Sequence, residues 1–349
     1  MNLLRKLLFP FAILYGFITS LRNYLYDKGI LKSYSFDIPM IAVGNLSVGG
    51  TGKTPQIEYL IRLLSPNYKV ATLSRGYKRK SEGFVLANAN SNVEILGDEP
   101  FQYYKKFPSI QVAVDADRRN GIKQLVSQKT TRGEAELSEA KPEIILLDDA
   151  FQHRKVKAGF YILLTAYDDL FCDDYMLPTG NLRESSNGAK RANLIIVTKC
   201  PTNITKPEQH TVKKKLGVDL PVFFSSIDYD GKVYNENDSI AVSDLKLTKK
   251  IAIAGIAKPK PFFDFLQADT DEIMTFPDHH YFSESEILTL KDKAKDKIII
   301  TTEKDFVRLD AKILKAQLYY LPIKSKFVSN QETFDQIILN YVGTCTRNR

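Results

Sequence analysis

Short, uninterrupted apolar runs recur through the first two thirds of the chain, each closing on a small or polar residue. Ile38–Val43, Lys69–Leu73, Ile144–Leu147, Phe160–Leu164 and Leu194–Thr198 have the length of strands. Continuous rather than alternating apolar character belongs to strands covered on both faces, as in parallel sheets. Between the first two lies Pro55–Leu64, whose apolar residues fall at helical spacing. Strands alternating with helical stretches predict an α/β fold with a mostly parallel sheet. Ser127–Pro142 is polar and reads as a surface insertion.

Around Phe223–Tyr234 the pattern changes. FFSSIDYDGKVY places Asp-Gly between two strand-like runs and predicts a β-hairpin. A further strand–loop–helix unit, Lys249–Leu266, and a strand at Lys297–Thr301 complete a second, smaller α/β lobe. The expected organisation is an N-terminal helical segment (1–35), a main domain (36–220), a hairpin or linker (221–245) and a C-terminal lobe (246–349).

The N-terminal segment has its own periodicity. Leu3, Leu4, Leu7, Leu8, Phe11, Leu14, Tyr15, Ile18 and Leu21 are spaced mostly by three and four, one apolar helical face. The uncharged run Leu7–Ile18 contains Pro10 and Gly16 and is shorter than the roughly 20 residues that span a bilayer. No small-x-small cleavage site follows it, which disfavours a secretory signal. An amphipathic helix lying in a membrane interface fits, with Arg5, Lys6 and Arg22 toward anionic headgroups. The plainer alternative is a helix packed on the protein's own core.

Composition narrows the partners. With 349 residues, 44% hydrophobic and 26% charged, the chain can bury about two cores and is not a disordered protein. Its three cysteines, Cys172, Cys200 and Cys345, form neither a disulfide framework nor a CxxC metal pair. The net charge is +8, and two clusters account for it: residues 1–35 carry +4, and SRGYKRK (74–80) another +4. The remainder is neutral, and aromatics do not interleave with basic residues, so nucleic acid is not an expected partner.

The sharpest chemical signal is Ser47–Thr54, SVGGTGKT, between a strand and a helix. Apart from Ser47 in place of the first glycine, it follows G-x-x-x-x-G-K-[ST], a loop whose backbone N–H groups cradle phosphates. Ser47, Val48, Gly49, Gly50, Thr51, Gly52, Lys53 and Thr54 are therefore the expected ATP site. Lys53 would reach the β- and γ-phosphates and Thr54 would ligate Mg²⁺. Pro55 suits the first helical turn, where no N–H donor is needed. The fold expectation sharpens to a P-loop NTPase core. Asp148 and Asp149 end an apolar strand, where the Mg²⁺-supporting carboxylate of such enzymes sits, although paired aspartates also cap helices. Thr198-Lys199-Cys200 ends another strand, at a depth suited to a base-contacting loop, a weak signal.

With these residues in view, the chain resembles the tetraacyldisaccharide 4′-kinases. The resemblance is carried in order by VGNLSVGGTGKTP (43–55), LSRGY (73–77), GDEP (97–100), LLDDAFQHR (146–154), LPTGNLRE (177–184), FPDHH (276–280) and TTEKD (301–305). Each is weak alone; the ordered set is specific. Ser47 looks typical of the family, and Ala150 stands where glycine is commoner. The resemblance implies transfer of the ATP γ-phosphoryl group to the 4′-hydroxyl of a tetraacylated glucosamine disaccharide 1-phosphate, a lipid A precursor, at the cytoplasmic face of a bacterial inner membrane. It implies ATP and Mg²⁺, the latter held directly or through water by Thr54, Asp148, Asp149 and Glu184. Asp98 is the implied base, assisted by His279 once the lobes close over substrate; His280 is an alternative to His279. Outside the resemblance, Asp98 would read as a turn or cap residue and His279 as a structural hydrogen-bonder. Arg75 and Arg183 are expected to hold substrate phosphate, while Lys78, Arg79 and Lys80 lean toward membrane or solvent. TTEKD receives no chemistry beyond a closing contact, and no protein partner is evident.

The competing reading is a membrane-associated regulatory ATPase of the partitioning type, which also joins a GGxGKT loop to an amphipathic helix. Such proteins usually carry lysine just before the two glycines, where this chain has Val48, and lack GDEP and PDHH.

Overall fold

The five apolar runs of the first two thirds become neighbouring strands of one sheet. The computed structural model describes residues 5, 7–127, 141–266, 272–310 and 312–347; the Ser127–Pro142 insertion lies almost wholly outside them. The strands are β1 (Met40–Asn45), β2 (Val70–Ser74), β3 (Val85–Leu86), β4 (Gln111–Val114), β5 (Ile144–Asp148), β6 (Phe160–Ala166), β7 (Leu194–Thr198), β8 (Val222–Tyr229), β9 (Lys232–Tyr234), β10 (Ser239–Ala241), β11 (Lys250–Ala254), β12 (Glu272–Thr275), β13 (Ile298–Thr302), β14 (Leu318–Leu321) and β15 (Ile323–Phe327).

The first sheet has nine strands in the order β15-β8-β7-β6-β1-β5-β2-β4-β3. Its seven central strands, β8 to β4, run parallel, and antiparallel β15 and β3 close the edges. Successive residues of β1 serve opposite faces: Ile41 and Val43 pack with Ile57, Leu60 and Ile61 of the helix Lys53–Leu64, whereas Met40 and Ala42 pack with Ile122 and Leu125. This two-sided demand is why the runs are apolar throughout. The second sheet, β10-β9-β14-β13-β11-β12, has parallel β14, β13, β11 and β12 and its own cores around Ile251, Ile253 and Ile300.

The expected hairpin does not form. β8 and β9 belong to different sheets, and Asp230-Gly231 is where the chain crosses between them. The hairpin of this region is instead β9 with β10, turning at Asn235–Asp238. The return crossing lies alongside, with the Asp230 N–H donating to the Pro322 carbonyl at 3.0 Å. β15 then pairs with β8, and Phe334, Ile338 and Val342 of the terminal helix Gln331–Arg347 enter the first core. The expected boundaries shift accordingly: residues 222–229 and 323–347 belong to the main lobe, and the smaller lobe runs from β9 to β14. An Asp-Gly pair marks a turn in the chain, but which strands flank it as partners is decided by the sheets that receive them.

Phe9–Asp27 is helical, with Pro10 in its first turn, where its missing N–H costs no hydrogen bond. The apolar stripe faces away from the protein: Phe11, Ile13, Leu14, Phe17, Ile18 and Leu21 are all exposed, while Ala12 and Thr19 are buried. Packing on the protein's own core is therefore not the role of this stripe. Two basic side chains depart from expectation. Arg22 donates to the Gln152 carbonyl at 2.5 Å and Arg5 to Asn181 Oδ1 at 3.2 Å, so both turn onto the protein. Lys6, Leu3 and Leu4 lie outside the described residues. Among the described residues no helix is long and apolar enough to cross a membrane.

Candidate functional site

The loop after β1 is shaped by glycines. Gly49 and Gly52 have φ of 120° and 79°, which side-chain-bearing residues rarely adopt, and Gly52 opens the helix Lys53–Leu64. Loop amides and helix N-terminus thus converge on one anion-binding position. The loop is braced from β7: Thr198 Oγ1 donates to the Thr51 carbonyl at 2.7 Å, and Lys199 Nζ to the Gly50 carbonyl at 2.5 Å. Thr198-Lys199 therefore anchors the phosphate loop itself. Cys200 is buried, and burial raises its thiol pKa to about 12.

β5 lies next to β1 and delivers its terminal carboxylates to this loop. Asp148 is 8% exposed, and its Oδ2 accepts from Ser74 at 3.3 Å and Tyr103 at 3.4 Å. Burial, then the charges of Asp149 and Glu99, push its pKa up to about 6. Asp149 stands in the left-handed region, φ 47°, and turns toward cations. Arg183 forks onto it at 3.0 and 3.1 Å, and Lys53 lies at 3.6 Å. Burial alone would raise this carboxyl, but Lys53 and Arg183 outweigh it and hold the pKa at about 2. Asn45 Oδ1 joins the cluster, accepting from Lys53 at 3.2 Å and Arg183 at 2.6 Å. Thr54 shares a hydrogen bond with Tyr103. Thr54 and Asp148 offer oxygen donors, and no cationic side chain among the described residues hydrogen-bonds the Asp148 carboxylate, whereas both Asp149 oxygens are taken by Arg183. Oxygen donors suit a hard divalent cation such as Mg²⁺.

Tyr103 belongs to the helix Asp98–Lys106, whose first residue reaches the other lobe. Asp98 Oδ2 is 3.0 Å from His279 Nδ1, so GDEP and PDHH are joined across the lobe boundary. The pair expected to assemble on lobe closure is already formed in this structure. His280 turns away: its Nε2 is 3.0 Å from Glu286, and its ring stacks on Phe276 at 4.8 Å. Burial would raise the Asp98 carboxyl, yet hydrogen bonds from Arg308 and His279 outweigh it and hold it well below the usual carboxylate range. Of five non-glycine residues with left-handed φ among those described, Asp149, Lys199 and His279 border this cleft. Strained backbone of this kind clusters at functional sites.

A phosphate loop, a strand-end carboxylate pair and an acid–imidazole pair spanning the two lobes now stand together. The family described as Tetraacyldisaccharide-1-P 4′-kinase matches residues 4–343. The chain belongs to this family. Tetraacyldisaccharide 4′-kinase of Flavobacterium johnsoniae is 63% identical over 344 residues, covering 98% of each chain. That of Flavobacterium psychrophilum is 64% identical over 352 residues, covering 100% of each. The crystal structure of the family's LpxK from Aquifex aeolicus, described as a complex with ATP, is 32% identical with a TM-score of 0.76, covering 97% of this chain and all of that one. Nearly full-length kinship to these kinases displaces the partitioning-ATPase reading.

Within the family's motifs, some residues sit where expected and others do not. Arg183 is drawn into the phosphate-loop cluster rather than outward. Arg75 is exposed at the end of β2 with no ion-pair partner among the described residues. Arg79 folds back onto the Val114 and Gly83 carbonyls, Lys80 pairs with Glu94 at 2.7 Å, and Lys78 lies over the Tyr77 ring. The expected metal role of Glu184 is corrected. Its carboxylate, 3% exposed, is held by Arg191 at 2.8 Å, Asn23 at 2.8 Å and Gln152 at 3.0 Å. Because Asn23 lies on the N-terminal helix, Glu184 instead ties that helix to the floor of the site. Sequence reasoning missed Arg308 and Lys304, which flank the Asp98–His279 pair; Lys304 lies in the TTEKD motif, read as a marker with no role beyond a closing contact, and Arg308 follows it on the same helix.

Proposed function

We infer that this protein is an ATP-dependent kinase that phosphorylates the 4′-hydroxyl of a tetraacyl disaccharide 1-phosphate, a lipid A precursor. The observation that carries the reading is Asp98 paired with His279 across the lobes, on a helix that also lends Tyr103 to the Asp148 end of β5. Loop amides and Lys53 hold the ATP phosphates. Thr54, Asp148 and Asp149 would hold Mg²⁺, which supplies charge neutralisation on the phosphates when bound. Arg183, beside Lys53 on Asp149, is assigned to nucleotide phosphate, and exposed Arg75 to the lipid's 1-phosphate.

In the transfer, the 4′-oxygen forms a bond to the γ-phosphorus, and the bond from that phosphorus to the β–γ bridging oxygen breaks. The electron pair leaves with ADP, and the hydroxyl proton passes to Asp98. An ionised carboxylate of low basicity suffices, because phosphoryl transfer through a loose transition state needs orientation more than a strong base.

The outward apolar stripe of Phe9–Asp27 supports a place for the enzyme on a membrane surface, the inner membrane's cytoplasmic face, where a four-chain lipid substrate resides. The deciding test is incubation with Mg-ATP and the tetraacyl disaccharide 1-phosphate, followed by mass spectrometry. One added phosphate on the lipid is expected; ATP turnover without lipid phosphorylation would reject the assignment.

A further inference from the structure

The TTEKD motif builds a small, firmly capped helix, Glu303–Leu309, at the lobe boundary. Thr302 caps it by accepting from the Asp305 N–H. Asp305, fully buried, accepts from the Thr302 hydroxyl at 2.8 Å and from the Gly255 N–H at 2.8 Å. The helix is thereby fixed to the end of β11, and two residues four apart on it, Lys304 and Arg308, reach the same neighbours.

Those neighbours are the proton-transfer pair. Arg308, with its side chain 8% exposed, donates from Nε to Asp98 Oδ1 at 2.8 Å and from Nη2 to Oδ2. Its Nη1 donates to the His280 carbonyl at 3.2 Å, which also steadies the FPDHH turn. Lys304 Nζ is 2.9 Å from His279 Nε2 and 3.1 Å from Asp278. An ammonium has only hydrogen-bond donors. A ring nitrogen that receives one must present a lone pair, which places the ring proton on Nδ1; Arg308 Nη2, 3.1 Å from Nδ1, is then a second donor to the same Asp98 oxygen rather than a donor to the ring. The ring proton points at Asp98.

We propose that Lys304 and Arg308 are positioning residues for proton transfer, Lys304 locking His279 as the Nδ1–H tautomer that donates to Asp98 and Arg308 orienting the carboxylate that receives the substrate proton. The proposal rests on the reading of Asp98 and His279 as the proton-accepting pair. The charged and titratable groups facing His279 are Asp98, Arg308 and Lys304, with Asp278 and Glu99 beyond Lys304 and the Tyr77 ring edge-on at 5.6 Å. Ligand atoms of Asp98, Glu99 and His279 lie within 4.8 Å of one another, as they would around a cation. Here the cationic partners are the protein's own: the Lys304 ammonium and the Arg308 guanidinium.

The consequence is a distinctive pH behaviour. With Lys304 in place, protonation of Nε2 is opposed by an adjacent positive charge. Without it, the imidazole becomes imidazolium at higher pH, draws harder on Asp98 and weakens it as a proton acceptor. The test uses the full-length, detergent-solubilised enzyme with Mg-ATP and the lipid. Lys304→Met should lower kcat by about 10- to 100-fold, the loss typical when an outer partner of a functional imidazole is removed. The KM for ATP should change little, and the acid limb of the kcat–pH profile should rise by about one unit. Lys304→Arg should return the limb toward its wild-type position. Arg308→Lys keeps a charge but loses the fork, and should lower kcat at unchanged KM for ATP; wild-type kcat there would remove Arg308 from the role. His279→Gln, whose amide can donate but does not titrate, should abolish the limb in both backgrounds. A limb that survives His279→Gln overturns the pair itself. A limb that vanishes in His279→Gln yet stays put in Lys304→Met overturns the tautomer lock alone. Should Lys304→Met fail to fold, Lys304→Gln is read by the same criterion.

Discussion

Asp148 is a buried carboxylate and Asp98 a half-buried one, and their surroundings drive them in opposite directions. Asp98 receives a guanidinium fork and an imidazole, so it stays ionised; Asp148 receives two hydroxyls and faces other carboxylates, so its charge is resisted. Such divergence separates an oriented proton acceptor from a carboxylate suited to a cation. Asp98→Ala should lower kcat by roughly 10²–10⁴ with little change in ATP affinity, because it removes the acceptor without touching the phosphate loop. Steady-state kinetics with both substrates checks this, and near-normal turnover would remove Asp98 from the proton transfer. The identity of these residues was legible in GDEP and LLDDAFQHR. The ionisation of Asp98 was not, because it depends on Arg308, 210 residues away in sequence.

At the scale of elements, the N-terminal helix does two things with two faces. Its outer stripe exposes Phe11, Leu14, Phe17, Ile18 and Leu21, a contiguous apolar surface of the kind that marks an interaction site. Deleting residues 1–25 should weaken binding to anionic liposomes, as should Phe17→Asp with Leu14→Asp; cosedimentation equal to wild type would refute the docking role. Its inner seam touches the site: the Tyr15 hydroxyl donates to the Arg183 carbonyl at 3.1 Å, and Asn23 donates to Glu184. Asn23→Ala should therefore leave liposome binding intact while reducing kcat several-fold, on the order of the 1 kcal/mol that a typical intramolecular hydrogen bond contributes. Loss of liposome binding with unchanged kcat would contradict that division of labour. Helical spacing made the stripe visible in sequence. Which way it faces, and that Arg22 turns inward, follow from the surface the helix lands on.

At the scale of the molecule, the two lobes are joined by ionic contacts as well as by the paired crossing strands. Glu58 of the phosphate-loop helix, Lys106 of the Asp98 helix and Glu303 of the second lobe form one buried cluster, with Lys106 bonded to both carboxylates. Burial, and then the neighbouring Glu58 charge, raise the Glu303 carboxyl to about 7 from an ordinary 4.5. The folded state thus keeps a proton that the unfolded chain has already released, and stability contributed by this site falls as pH rises from the unfolded value through the folded one. Glu303→Gln retains an acceptor for the Ile323 N–H while removing the repulsion. Its stability relative to wild type should rise between about pH 5 and about pH 8, by about 1–2 kcal/mol, read as a widening gap in melting temperature. Parallel melting curves across that range would show that Glu303 titrates normally.

Local chemistry determined much of this protein in advance. Apolar runs of strand length, a glycine loop before a helix and carboxylates at a strand end state the α/β class, the phosphate site and the oxygen-donor pair, because each depends on residues adjacent in the chain. Tertiary structure decided the rest. It sent β15 and the terminal helix back to the first lobe, separated the β8–β9 pair into two sheets, and gave Glu184 to the N-terminal helix. It also chose His279 over His280 and set Lys304 and Arg308 beside Asp98. These are contacts between residues up to about three hundred positions apart, and no periodicity or spacing encodes which of several suitable side chains the folded lobes bring face to face.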